Sequence, residues 1–272
     1  MTLRCGGSPS LLRWLKNYYK ELMLDIKTDP AGRLHDLLEF ARKQPDSKRA
    51  REALGVVFDV ESNDTESLLR LLADLIMLSQ NTKLRISSLD DINHDIYLKP
   101  FFNIEKILST LNLDSSWKPY RDLLNESTLY GLKFCSDKLS RIDQVETIKR
   151  KDIEAIQTKL AVLVEDILKS DIDLVVKELL LRNLEGLRQS LIAYRVRGLE
   201  GIEREVEVGL GSLLVNRPKV ECAASDNKVS SLIKGYFALL EITNKTIAAA
   251  KNMKEIGVVE IANKLISMNN GQ

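Results

Sequence analysis

Residues 171–218 read DIDLVVKELLLRNLEGLRQSLIAYRVRGLEGIEREVEVGLGSLLVNRP, and they decide the fold class. A carboxylate at Asp171 or Asp173 can accept from the free amides of a first helical turn. Val176, Leu180, Leu184, Leu187, Leu191 and Tyr194 then recur at helical spacing. Leu179 and Leu181 widen that stripe, so the helix is covered on more than one side. Arg195 and Arg197 fall where a helix C-terminus favours cations, and Gly198 suits the left-handed residue that ends a helix. A second helix starts near Gly201 and carries Ile202, Val206, Leu210, Leu213 and Leu214 until Pro218 stops it. The short link makes the two helices neighbours, as in an αα-hairpin.

Outward from this hairpin the chain keeps the same period. Ser8-Pro9 starts a helix with Leu11, Leu12, Leu15, Tyr18, Tyr19, Leu22 and Ile26 on one face. Asp29-Pro30 opens another, with Leu34, Leu37, Leu38 and Ala41 inward. A short helix spans 47–58. A stronger one carries Leu68, Leu69, Leu72, Leu75, Ile76 and Met77 and ends near Asn81. Residues 83–99 read as the least regular part. Phe101, Ile104, Ile107, Leu108 and Leu111 follow as one face. After the capping cluster Asp114-Ser115-Ser116, one helix runs from Trp117 to Leu139 and tolerates Gly131. The polar stretch 141–151 is the expected hinge. Ile153, Ile156, Leu160, Leu163 and Ile167 form the next stripe. Residues 217–226 read as a loop with Cys222, then Asp226 caps a helix with Leu232, Ile233, Tyr236, Leu239, Leu240 and Ile247. Gly257 breaks it before a last helix with Val258, Ile261, Leu265 and Ile266.

The reading is therefore all-α, a multi-helix bundle of about ten helices in two packed helical subdomains. These are an N-terminal helical region, 1–140, and a C-terminal helical region, 141–272, that contains the 171–218 hairpin. Composition agrees: six prolines and 6% aromatic residues, with Leu and Ile dominant, favour helix over sheet. The net charge is +1, and acids and bases balance in each half, which argues against a nonspecific nucleic-acid binder. Cys5, Cys135 and Cys222 are odd in number and far apart, which suits a reducing cytoplasm and neither a disulfide framework nor a cysteine zinc site. The first residues lack the apolar core of a signal peptide, and no run of about 18 apolar residues implies a transmembrane helix.

Residues that could carry chemistry are few. The two histidines, His35 and His94, each precede an aspartate, Asp36 and Asp95. Neighbours on a helix point about 100° apart, so neither pair chelates alone. Glu200, Glu203 and Glu207 share a face and could hold a divalent cation; a solvated face paired with Arg204 is the simpler account. Arg195 and Arg197 beside Tyr194 could bind a phosphate or a partner's carboxylate. The simpler account is that they fasten the corner to the next helix and to Glu200 or Glu203. Trp117 and the pair Phe101-Phe102 read as core. The basic groups at 149–151 and 42–51 read as solvated faces. No catalytic residue, metal or cofactor is assigned.

The segment 180–211, with Leu184, Leu187, Arg188, Tyr194, Arg195, Arg197, Gly198 and Gly209, resembles one shared by a family of bacterial all-helical proteins with no established activity. The resemblance implies a bacterial, cytoplasmic source and carries over no catalytic residue. The function expected is a non-enzymatic helical protein-interaction module, or an accessory or effector component of a bacterial system. It would bind a protein partner, with Tyr194, Arg195 and Arg197 as candidate binding residues and Gly198 as the structural corner. Two other classes stay open: a metal-dependent nuclease or phosphoesterase with a dispersed acidic site, and a membrane-surface protein acting through the amphipathic stretch 230–268.

Overall fold

A computed structural model describes residues 27–143, 148–223, 226–251 and 257–258. The expected helix from Ser8 to Ile26, residues 144–147 of the hinge, and the last helix beyond Val258 lie outside the described residues. What is described is helical. The elements are α1 (Pro30–Arg42), α2 (Ala50–Phe58), α3 (Thr65–Ser87), α4 (His94–Tyr97), α5 (Lys99–Thr110), α6 (Lys118–Leu123) and α7 (Glu126–Asp143). They continue with α8 (Arg150–Lys169), α9 (Leu174–Ile192), α10 (Tyr194–Val215), α11 (Arg217–Ala223) and α12 (Asn227–Lys251). Among the described residues there is no strand beyond one isolated bridge between Arg49 and Ser116.

Local chemistry sets several boundaries where the sequence places them. The Asp29 carboxylate accepts from the Gly32 amide at 2.7 Å, and Pro30 sits in the first turn of α1. Asp173 caps α9 by accepting from the amides of Val175 and Val176, and Asp226 caps α12 through those of Lys228 and Val229.

Other boundaries differ from the sequence reading, each for a visible reason. Helix α3 runs on to Ser87 rather than ending near Asn81. Thr82 satisfies its hydroxyl on the Leu78 carbonyl at 2.6 Å, and Ile86 extends the buried stripe by another turn. That stripe is Leu68, Leu71, Leu75, Leu78 and Ile86, so Leu69 and Met77 face outward. The expected single helix from Trp117 to Leu139 is two, α6 and α7. Asn125 separates them by accepting from the Thr128 amide at 3.0 Å, an N-cap geometry. Residues 217–223, expected as loop, form α11, because Pro218 falls in a first turn where its missing amide costs nothing. Phe102, expected in the core beside Phe101, is exposed.

Two apolar cores result. The first is built from α1 to α7, with α1 packed most extensively on α7. Trp117 closes it, its indole N–H donating to the Ala41 carbonyl at 3.1 Å. The second is built from α8, α9, α10 and α12, with Ile153, Ile156, Leu160, Leu163 and Ile167 of α8 all buried as their spacing predicts. Within it α9 and α10 run antiparallel, with Gly186 against the Glu205 side chain. One turn further along α10, Gly209 lets the Tyr236 hydroxyl approach where a Cβ would collide.

The corner between α9 and α10 joins the cores. Ala193 and Val196 belong to the first, whereas Tyr194 and Leu199 belong to the second. Successive side chains at this turn are thus divided between two cores, and α10 also packs on α1 and α3.

Candidate functional site

The corner differs in detail from its expected form. Helix α9 ends at Ile192, with Ala193 as its cap, so Arg195 and Arg197 do not lie in its last turn. The Ala193 carbonyl accepts from both Val196 and Arg197 at 2.8 Å, which starts a new turn. Gly198 then takes φ 67° and ψ −162°. Its φ is positive, as expected, but its ψ is extended. This is a region essentially reserved for glycine rather than the left-handed helical one. The chain re-enters helix at Leu199, two residues before the expected Gly201.

The reason glycine is required lies across the fold. A Cβ at Gly198 would overlap the guanidinium of Arg33 from α1. Arg33 occupies the inward stripe of α1, one residue before Leu34 and four before Leu37, and is only 5% exposed. Its Nη1 donates to the Thr28 carbonyl, and its Nη2 lies 3.4 Å from the Glu200 carboxylate. Its Nε is buried, with no hydrogen-bond partner among the described residues. Burial pushes the guanidinium below its ordinary range; Glu200 and Asp29 oppose that shift, and Arg85 adds to it by like-charge repulsion. Nearby, burial raises the Asp29 carboxyl despite its bonds from Gly32 and the Ser136 hydroxyl.

Arg33 forms part of the floor of an open cleft of about 720 Å³ between α3 and α10. One wall is the outward face of α3, with Asp74, Met77, Asn81, Leu84 and Arg85. The other is the start of α10, with Arg197, Glu200, Gly201, Arg204 and Glu205. Arg197 is held by Asp74 of α3 at 2.9 Å, not by Glu200 or Glu203 as expected. A short range explains this: Asp74 lies directly across the cleft, whereas Glu200 is taken by Arg33 and Glu203 by Lys251. Met77 and Leu84 are 54% and 67% exposed, so this wall presents apolar surface between charges.

The other sequence candidates separate. Tyr194 is buried, and its hydroxyl is hydrogen-bonded to the backbone of Ile148. Arg195 lines a second groove, of about 580 Å³, with Asp59, Asp64, Arg70, Glu154 and Arg188. Arg195 and Arg197 therefore open on different clefts. The carboxylates Glu200 and Glu203 have basic partners, and among the described residues no three His, Cys, Asp or Glu side chains converge as a metal site. His35 bonds its own neighbour, Asp36, at 2.8 Å. Burial pushes the Cys135 thiol up to about 12, far from a reactive thiolate. Compared with family models, curated proteins and solved structures, the chain matches none.

Sequence reasoning missed Arg33, Asp74 and Arg85. Arg33 had a signal: it is a charge inside the apolar stripe Pro30, Leu34, Leu37, Leu38, Ala41. A cation at such a position implies a dedicated partner.

Proposed function

We propose that this chain is a non-enzymatic helical protein-interaction module, an accessory component of a bacterial cytoplasmic system, and that the α3–α10 cleft receives its partner. The observation that carries this is the α3 wall, where Met77 and Leu84 stay exposed between charged residues in an open cleft. The wall from Asp74 to Arg85 is about 16 Å long at 1.5 Å per residue, enough for roughly three turns of a partner helix laid along it. The separated cysteines suit a reducing compartment, and Cys135 is a free, buried thiol. Among the described residues no helix is long and apolar enough to cross a membrane.

The membrane-surface alternative draws less support. The large apolar side chains Ile233, Tyr236, Phe237, Leu239, Leu240 and Ile247 of α12 are buried, and it exposes Asn227, Lys228, Ser231, Lys234, Ala238, Lys245 and Ala249, none of them a large apolar residue. Residues 252–256 and 259–268 of that stretch lie outside the described residues.

Paired affinity purification tests the proposal. The full chain and its Met77→Glu/Leu84→Glu variant are each used as bait in the source organism, with quantitative mass spectrometry. Both replaced side chains are exposed, so the variant should melt like wild type. The expected result is a protein enriched about tenfold or more by wild type and lost with the variant, since two buried apolar contacts are each worth about 1.5 kcal/mol or more. Equal enrichment by both baits would overturn the assignment of the cleft.

A further inference from the structure

We infer that the floor of the α3–α10 cleft is a carboxylate-recognition subsite, in which the buried Arg33 guanidinium takes an aspartate or glutamate side chain from an amphipathic helix of the protein partner. This rests on the proposed role of the cleft and adds the chemistry that would select the occupant.

Arg33 is placed as a recognition group rather than a structural ion pair. A guanidinium carries five donors in a rigid fork that matches a carboxylate with two parallel bonds. Here one edge is spent on the Thr28 carbonyl; among the described residues Glu200 is the carboxylate it bonds, at 3.4 Å, and the buried Asp29 attracts it without a bond. Glu200 is 57% exposed while Arg33 is 5% exposed, so the acid is mostly solvated and the base is not. Among the described residues the buried Nε has no hydrogen-bond partner. Arg85 lines the same cleft close enough to repel Arg33, which weakens the hold of Glu200 and Asp29 on it. Gly198 lets the guanidinium lie against the backbone of the corner, which fixes the fork's position.

The lining also selects among anions. Asp74, Glu200 and Glu205 share the cleft, and they repel a phosphate dianion more than a single carboxylate. Met77 and Leu84 supply apolar surface that a free anion would leave uncovered. A helix bearing one acid between apolar residues satisfies both features. Glu200 then acts as a placeholder that the ligand's carboxylate displaces.

The test follows the Arg33 side-chain Nε–H signal in the 15N-labelled full chain, assigned by comparison with Arg33→Lys. Three alanine-based helical peptides are titrated, each with leucine four residues before and three after a central Glu, Gln or phosphoserine. The Glu peptide should shift the Arg33 signal saturably and bind about tenfold or more tighter than the Gln peptide, as a charge-assisted bond predicts. Glu200→Gln, a change at an exposed side chain, should tighten the Glu peptide further by removing its competitor. Equal affinity for the Glu and Gln peptides, or tighter binding of phosphoserine, would overturn the carboxylate subsite. So would a Glu200→Gln variant that binds no better. If the peptides leave Arg33 unmoved while capture still depends on Met77 and Leu84, this subsite is wrong and the cleft's docking role stands. If Arg33 binds the Glu peptide while capture ignores the cleft variant, the subsite stands and the docking role falls.

Discussion

Gly198→Val is expected to lose about 3 kcal/mol of stability, or roughly 6–12 °C in melting temperature for a chain of this size. Two costs add. The backbone at φ 67° and ψ −162° is strained for any residue with a Cβ. The Cβ also overlaps the buried Arg33 guanidinium, which cannot move without leaving the Thr28 carbonyl and Glu200. Gly198→Ala should lose nearly as much, because both costs arise at the first side-chain carbon rather than at the branch. Thermal melts followed by circular dichroism check this. Coincident melts for wild type and Gly198→Ala would show that the corner can relax without cost.

Trp117→Ala should be at least as damaging, at about 3–5 kcal/mol. Trp117 is 1% exposed and among the largest fully buried side chains of the first core. Truncation leaves a void among Leu37, Ala41, Leu54, Ile104 and Ile107, which line the space beside it. Trp117→Phe should cost much less. It fills most of the volume, and the Ala41 carbonyl that loses the indole N–H keeps the Gln44 amide at 3.1 Å. Urea denaturation of the three proteins checks the order. A Phe variant as unstable as the Ala variant would mean that the hydrogen bond, not the packing, holds this position.

The fold was largely legible because its signal is periodic. The stripes of α1, α8 and α12 are read off the chain residue by residue, and their buried positions follow the helical spacing. The errors occur where periodicity gives no information. Helix α3 presents leucines on two faces, so Leu69 and Met77 looked as buried as Leu68 and Leu75. Only the neighbours present in the fold separate them. The break at Asn125 and the extent of α3 past Asn81 depend on side-chain to backbone hydrogen bonds that compete closely with helix.

The corner illustrates both sides. Its glycine and positive φ were predictable from RVRG, and so was the burial of Tyr194 at the end of a leucine stripe. The ψ value and the partner of Arg197 were not, because they depend on residues more than 120 positions away, Arg33 and Asp74. Long-range pairs between helices leave no local trace, except where a charge interrupts an apolar stripe. Arg33 is such an interruption, and it marks the floor of the cleft.

Site-specific photocrosslinking tests the role of that cleft most directly. A benzophenone amino acid is placed at Leu84, on the α3 wall, or at Phe102, an equally exposed position on α5. Each protein is irradiated in its source cells. A discrete adduct from position 84, absent or much weaker from position 102, is the predicted result. Adducts from position 102 with none from position 84 would contradict the account and move the interaction surface from the α3–α10 cleft to the outer face of α5.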